Sequence, residues 1–208
     1  MILEYGTPAA QNILIQPVGE HDLPGLEEEA KGISEKTDIP FKLIAVKVDL
    51  WNRDLSPWSA PPVFGQEPFG SGAPATLERI LSLCSNSEKT YFLGGYSLAG
   101  LFSLWAAYQT NVFSGVASAS GSLWFPGFEE YMASHTVKCK TVYLSLGSTE
   151  EKTKNPVMAS VGERTRRACA LLKAQNVCCS LEWNPGNHFK DPAQRTAKAF
   201  ACALNNTR

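Results

Sequence analysis

Charge of one sign is not a theme of this chain. Its 208 residues hold 19 Lys and Arg against 20 Asp and Glu, with no run of like charge, so neither a nucleic-acid stripe nor a polybasic membrane patch is expected. Long hydrophobic runs are missing too: none reaches ~18 residues, the length a membrane-crossing helix needs. The opening MILEYGTPAAQNILIQPV has no basic segment ahead of an apolar stretch of the kind that directs export. A cytoplasmic protein with no membrane or nucleic-acid partner is the expectation. The six cysteines, Cys84, Cys139, Cys169, Cys178, Cys179 and Cys202, form no C-x-x-C pair and have no histidine nearby at zinc-finger spacing. No metal site is expected, and most of these thiols read as reduced, buried, small apolar fillers. Histidine is scarce: His21, His135 and His188 are the only three.

What the chain does have is enough apolar material for one substantial core, 44% of its residues, and too little length for two comfortable domains. One domain over 1–208 is the expectation. Its centre is Lys89 to Tyr108, KTYFLGGYSLAGLFSLWAAY. A short apolar run meets Gly94-Gly95-Tyr96-Ser97-Leu98-Ala99-Gly100 and passes straight into a second run of helical character. Strand, sharp turn, helix is the simplest reading. With Gly95 two residues before Ser97 and Ala99 two residues after, the turn matches the nucleophile-elbow pattern G-x-S-x-G with one substitution. A serine hydroxyl on such an apex stands clear of the sheet. It needs a base to take its proton and donors already in place for the oxyanion, and the backbone N–H of Leu98 is the first candidate donor. The bland alternative is a Gly-rich connection in which Ser97 is merely small.

Around this stretch, strands alternate with helices. Asn12 to Val18, Phe41 to Leu50, Thr90 to Leu93, Phe113 to Ser120, Thr141 to Leu146 and Val177 to Trp183 read as strands, about six in all. Helices are expected from Leu23 to Lys31 behind an Asp22 cap, from Pro74 to Cys84, from Leu98 to Tyr108, from Pro156 to about Gln175, and after an Asp191 cap with Gln194 at its third position. The pattern implies an α/β fold: a mostly parallel, doubly wound sheet with helices on both faces. Ligands then bind beyond the carboxyl ends of the strands, where His21, Trp51, Ser97, Trp124, Glu150 and His188 all fall.

The base follows by elimination. His135 precedes a strand, away from that edge; His21 comes before Ser97 in the chain; His188 lies after the last strand in Pro185-Gly186-Asn187-His188-Phe189 and is favoured. Between Ser97 and His188 only Gly147-Ser148-Thr149-Glu150-Glu151 offers carboxylates at a strand end, with Glu150 preferred and Glu151 second. Loop glutamates are most often just solvated. Arg53 and Asp54 read as a structural hydrogen-bonding pair.

The order Ser97, Glu150, His188, with GGYSLAG, YLSLGSTEEKTKNP and NPGNHF, resembles the α/β-hydrolase superfamily, and within it the esterases related to enterochelin esterase and esterase D. The likeness runs from the Asn12 strand to the last helix. It implies a minimal α/β-hydrolase fold and ester hydrolysis through an acyl-enzyme, without metal or cofactor. Carried over by position, it makes Ser97 the nucleophile, His188 the base and Glu150 the acid. It also places a second oxyanion donor at the N–H of Gly19 or Glu20 and implies that the usual first hairpin is missing or shortened. Three features depart from the pattern: Ala99 in the elbow, Glu in place of the commoner Asp, and Ser148 after Gly147.

Trp51, Trp58, Phe64 and Phe69 on one loop, with Trp124 and Phe125 on another, would overhang the nucleophile, making Trp51, Trp58, Trp124 and His21 candidate substrate contacts. Covering the core is their equally weighted alternative. The expected partner is a small-molecule ester, with oligomeric state left open. An acyltransferase using the same acyl-enzyme, or a binding protein with an unactivated serine, are the competing functions.

Overall fold

Along β2 (Asn12–Val18), β3 (Phe41–Lys47), β4 (Thr90–Tyr96) and β6 (Thr141–Gly147), side chains alternate between two apolar layers. Ile13, Ile15, Ile44, Val46, Leu93, Val142 and Leu144 enter one core, while Leu14, Leu43, Phe92 and Tyr143 enter the other. A strand buried on both faces has to be apolar throughout, which is why these read as continuous runs. The computed structural model, which describes residues 1–206, joins them with β1 (Ile2–Gly6), β5 (Phe113–Ala119) and β7 (Cys178–Asn184) in one seven-stranded sheet of order β1-β3-β2-β4-β5-β6-β7.

β2 to β7 run parallel, and β1 lies antiparallel on β3 at the edge. The sheet thus has seven strands where the sequence pattern announces about six. β1 escapes notice because it is five residues long and alternates exposed with half-buried positions, so it carries no apolar run. Part of the expected missing hairpin is therefore present as this one strand.

Helices α1 (Leu26–Ser34) and α8 (Pro192–Asn205) cover the face lined by Leu14, Phe92 and Tyr143; α3 (Ala73–Leu81), α4 (Leu98–Gln109), α5 (Phe128–Ser134) and α7 (Val161–Ala174) contribute to the opposite core. All residues from Leu98 to Tyr108 are buried, as its lack of a polar face demands. Two single-turn helices, α2 (Trp51–Asp54) and α6 (Pro156–Ala159), complete the set. Among the described residues no helix is long and apolar enough to cross a membrane, and no cluster of His, Cys, Asp and Glu has metal-binding geometry.

Three expected helix details come out differently. Asp22 does not open a helix at Leu23. It lies inside a 3-10 turn, Glu20–Gly25, where its carboxylate accepts the Gly19 N–H at 2.8 Å, and the α-helix starts only at Leu26. Asp191 adopts φ 51 and makes no side-chain cap, while Gln194 reaches Lys36 and Glu28 on the α1 side at 3.2 and 3.1 Å. The helix expected from Pro156 to Gln175 breaks at Ser160, whose N–H and hydroxyl both turn to the Val157 carbonyl. That tighter bonding competes with the i to i−4 ladder.

The order places β3 on one side of β2 and β4 on the other. Crossovers leave β2 in opposite directions, which opens a crevice at the carboxyl ends of β2 and β4. Ser97 is the residue that follows β4.

Candidate active site

Ser97 has φ 57 and ψ −120, a conformation costly for any residue with a side chain, on the order of 1–3 kcal/mol. Surrounding bonds hold it there. Its N–H donates to Ala119 O at 3.1 Å, and its carbonyl accepts from Leu101 N at 3.1 Å and Ser122 N at 3.0 Å. Gly95 makes the turn possible because a Cβ there would stand 2.5 Å from the Cβ of Ala99. The small residue at 99 and the glycine at 95 are therefore one steric requirement, and Ala99 meets it.

The loop after β7 brings His188 over this apex. His188 Nε2 lies 3.0 Å from Ser97 Oγ, and Nδ1 lies 2.8 Å from Glu150 Oε2. An ionised carboxylate only accepts, so Nδ1 carries the ring proton and Nε2 is left as the acceptor for the serine hydroxyl. Ser122 Oγ, buried, lies 3.3 Å from Ser97 Oγ. With the Ser97 proton directed to the imidazole, the Ser122 hydroxyl is oriented to donate to the Ser97 oxygen.

Glu150 and Glu151 part company at the single turn Glu150–Lys152. Glu150 points inward and is 9% exposed, whereas Glu151 pairs with Arg166 of α7 at 3.3 Å. Besides His188, Glu150 takes bonds from Gly147 N–H at 2.6 Å and Ser120 Oγ at 2.7 Å, and Arg195 Nη1 lies 3.1 Å from Oε1. Burial by itself would raise the acid's pKa. The hydrogen bond and charge of His188, then the Ser120 and Gly147 bonds, outweigh it and hold the carboxyl below its ordinary value.

The two candidate oxyanion donors near β2 are not equivalent. The Gly19 N–H is already engaged by the Asp22 carboxylate, which removes it from the set suggested by sequence. The N–H groups of Leu98 and Glu20 each begin a helical turn, so neither has an acceptor inside its own helix. His21 is exposed. Its ring packs edge-on against Trp51 at 4.7 Å, and both rings border Gly19, where a Cβ would stand 2.6 Å from His21 and 3.0 Å from Trp51. His135, exposed just after α5, stacks on Tyr131 at 4.1 Å.

The other aromatics pack chiefly on one another. Trp58 donates from Nε1 to Pro126 O at 2.9 Å and lies on Phe125, Phe128 and Tyr131, while Trp124 is buried against Phe64 and Phe69. These contacts cover the core between the two loops. Arg53 and Asp54 form a 2.7 Å pair whose carboxylate also accepts from Asp49 N and Leu50 N, a structural role.

Sequence reading misses Arg195, Tyr96, Ser120 and Ser122. One signal was available for the first: Arg195, Ala199 and Ala203 are spaced four apart and all are buried, so a cation sits on the apolar stripe of α8.

The sheet order, the edge strand and the turn after β4 define an α/β-hydrolase-type fold. The siderophore hydrolase EstA from Aspergillus nidulans superposes with a TM-score of 0.65 at 17% identity, over 97% of this chain and 85% of that one. The enterobactin and salmochelin hydrolase IroE gives 0.63 at 18%, over 99% and 87%. The enterobactin esterase FES from Shigella flexneri, in the presence of enterobactin, gives 0.68 at 13%, over 100% of this chain and 55% of that longer one. At such identities the likeness is one of fold. No family model matches the chain, and no curated protein matches it.

Proposed function

We propose that the protein is a serine esterase that hydrolyses a carboxylic ester through an acyl-enzyme, with Ser97 as nucleophile, His188 as base and Glu150 as acid. The observation that carries this reading is the pair of contacts on one imidazole: 3.0 Å to the Ser97 hydroxyl and 2.8 Å to the Glu150 carboxylate. His188 takes the hydroxyl proton as Ser97 attacks the ester carbonyl, and Glu150 stabilises the resulting imidazolium. The N–H groups of Leu98 and Glu20 receive the oxyanion. On collapse, His188 returns the proton to the leaving alcohol, and water repeats the sequence on the acyl-serine. A route of this kind needs no metal or cofactor.

The neighbours named above are a siderophore hydrolase, an enterobactin and salmochelin hydrolase and an enterobactin esterase, so enterobactin belongs in the first substrate panel beside aryl esters of graded acyl length. A fluorophosphonate probe should label wild-type protein at Ser97, and Ser97→Ala should lose turnover by roughly four orders of magnitude or more with its fold intact. Turnover retained in Ser97→Ala would overturn the mechanism; no labelling of the wild type would leave the reading of a binding protein. Acyl transfer shares the acyl-enzyme and would show as a second product when an alcohol competes with water.

A further inference from the structure

Helix α8 brings a permanent cation to the inner side of the acid. The Arg195 guanidinium is 4% exposed, and its Nη1 lies 3.1 Å from Glu150 Oε1, 3.2 Å from Tyr96 Oη and 3.3 Å from Ser120 Oγ, while Nη2 donates to Pro185 O at 2.9 Å. Tyr96 Oη in turn donates to His188 O at 2.6 Å. One side chain therefore touches the acid directly, holds the loop at Pro185, and reaches its His188 end through Tyr96. The planar fork of a guanidinium can serve several fixed acceptors at once, which a lysine ammonium on a flexible stem does poorly. Space for the assembly comes from Gly147: a Cβ there would lie 2.5 Å from Gly186 O, 2.7 Å from Glu150 Oε1 and 2.9 Å from Arg195 Nη1.

We propose that Arg195 is a positioning residue of this site, which fixes the distance between the Glu150 carboxylate and the His188 loop and offsets the charge of the buried acid. The proposal rests on the esterase reading above. Geometry is one half of it. Without the guanidinium, Pro185 O loses its partner, Glu150 Oε1 keeps only Gly147 N–H and Ser120 Oγ, and the loop that sets the 3.0 Å serine contact is no longer held from beneath. Charge is the other half. Arg195, 3.1 Å from Oε1, favours the ionised form of Glu150. This extends activity toward lower pH, because the acid must be ionised to orient the imidazole. Tyr96 from β4 also borders the pair, bonded to Arg195 and to the His188 carbonyl. Glu151 is turned away to Arg166.

The test compares Arg195→Met, Arg195→Lys and Tyr96→Phe with wild type, using an aryl ester, pH profiles of kcat and kcat/KM, and fluorophosphonate labelling per folded molecule. Arg195→Met should lower kcat by roughly 100-fold, the scale of a small misplacement of reacting groups, with KM little changed, and should move the acid limb to higher pH. Arg195→Lys keeps the charge and loses the fork, so kcat should fall while the acid limb stays near wild type. Tyr96→Phe should lower kcat several-fold without moving that limb. Wild-type kcat and pH profile in Arg195→Met would overturn the proposal. So would a loss of activity that only tracks the unfolded fraction, with labelling per folded molecule unchanged. In either case a labelled, active wild type leaves the esterase reading standing; an unlabelled, inactive wild type removes both.

Discussion

Gly95 and Ala99 meet across the turn that carries Ser97: a Cβ added at Gly95 would stand 2.5 Å from the Cβ of Ala99 and 2.9 Å from its carbonyl carbon. The elbow is tight because strand end and helix start pass each other with no side chain between them. Gly95→Ala is expected to force them apart, with a loss of about 1–3 kcal/mol and slower labelling of Ser97. Ala99→Gly creates no overlap and should keep activity at a helix-propensity cost of up to about 1 kcal/mol. Urea unfolding and probe labelling of the two variants check this, and equal labelling rates would refute it.

The opposite orientations of Glu150 and Glu151 give the second expectation. Glu150→Gln places an amide where the imidazole N–H needs an acceptor, and kcat should fall by about 1,000- to 10,000-fold through the wrong histidine tautomer. Glu151→Gln removes only a partly exposed pair with Arg166, worth about 1 kcal/mol at most, and should leave kcat within a few-fold of wild type. Steady-state kinetics on both variants decide the matter; similar losses in the two would contradict the assignment.

A third expectation concerns pH and stability away from the apex. Glu29 of α1 is 3% exposed, its contact to Gln16 Nε2 is 3.3 Å, and its Oε1 has no partner. Burial, reinforced by nearby Asp22 and opposed by the Gln16 bond, pushes its pKa from 4.5 up to about 8. A folded-state pKa above the unfolded one means that the native protein holds a proton the unfolded chain has released. Stability from this group is therefore present below 4.5 and lost as pH rises toward 8, by up to about 5 kcal/mol. Glu29→Gln should gain on wild type over that interval. Urea denaturation at the two ends of the interval measures it, and a pH-independent difference would show that Glu29 does not titrate there. Glu150 works in the opposite sense: its depressed pKa adds stability above 4.5 that disappears as pH falls through its folded value.

The thiols give a fourth. All six cysteines are free; Cys178 is exposed, Cys84 and Cys202 are half-buried, and Cys139, Cys169 and Cys179 are buried. Burial raises the pKa of Cys84 to about 12 and raises those of Cys139, Cys179 and Cys202 as well, which keeps them as unreactive thiols. A chromogenic disulfide reagent should find one fast-reacting thiol in native protein and six in denaturant. Loss of the fast phase in Cys178→Ser identifies it; two or more fast phases would contradict the burial described.

How much of this was legible beforehand depends on whether the signal was local. The parallel strands β2 to β6 could be read because nearly every position in them is buried and so largely apolar, as Phe92 and Leu93 on opposite layers of β4 illustrate. Ser97 could be read because a tight turn excludes large residues within a few positions of it in the chain. Scarcity helped with His188, one of three candidates. β1 could not be read, since its five residues alternate exposed with half-buried and lack the run that marks β2 to β6.

Sequence alone therefore determined the layers and the turn after β4, consequences of burial period and short-range sterics, and narrowed the candidate base to three histidines. Only tertiary structure decided which of two adjacent glutamates faces inward, because one residue of rotation around a single helical turn reverses the answer. It also decided that Asp22 takes the Gly19 N–H, and that a cation on the last helix reaches the acid 45 positions earlier in the chain. Contacts between residues so far apart depend on how the sheet twists and where its loops close, and no local pattern encodes that.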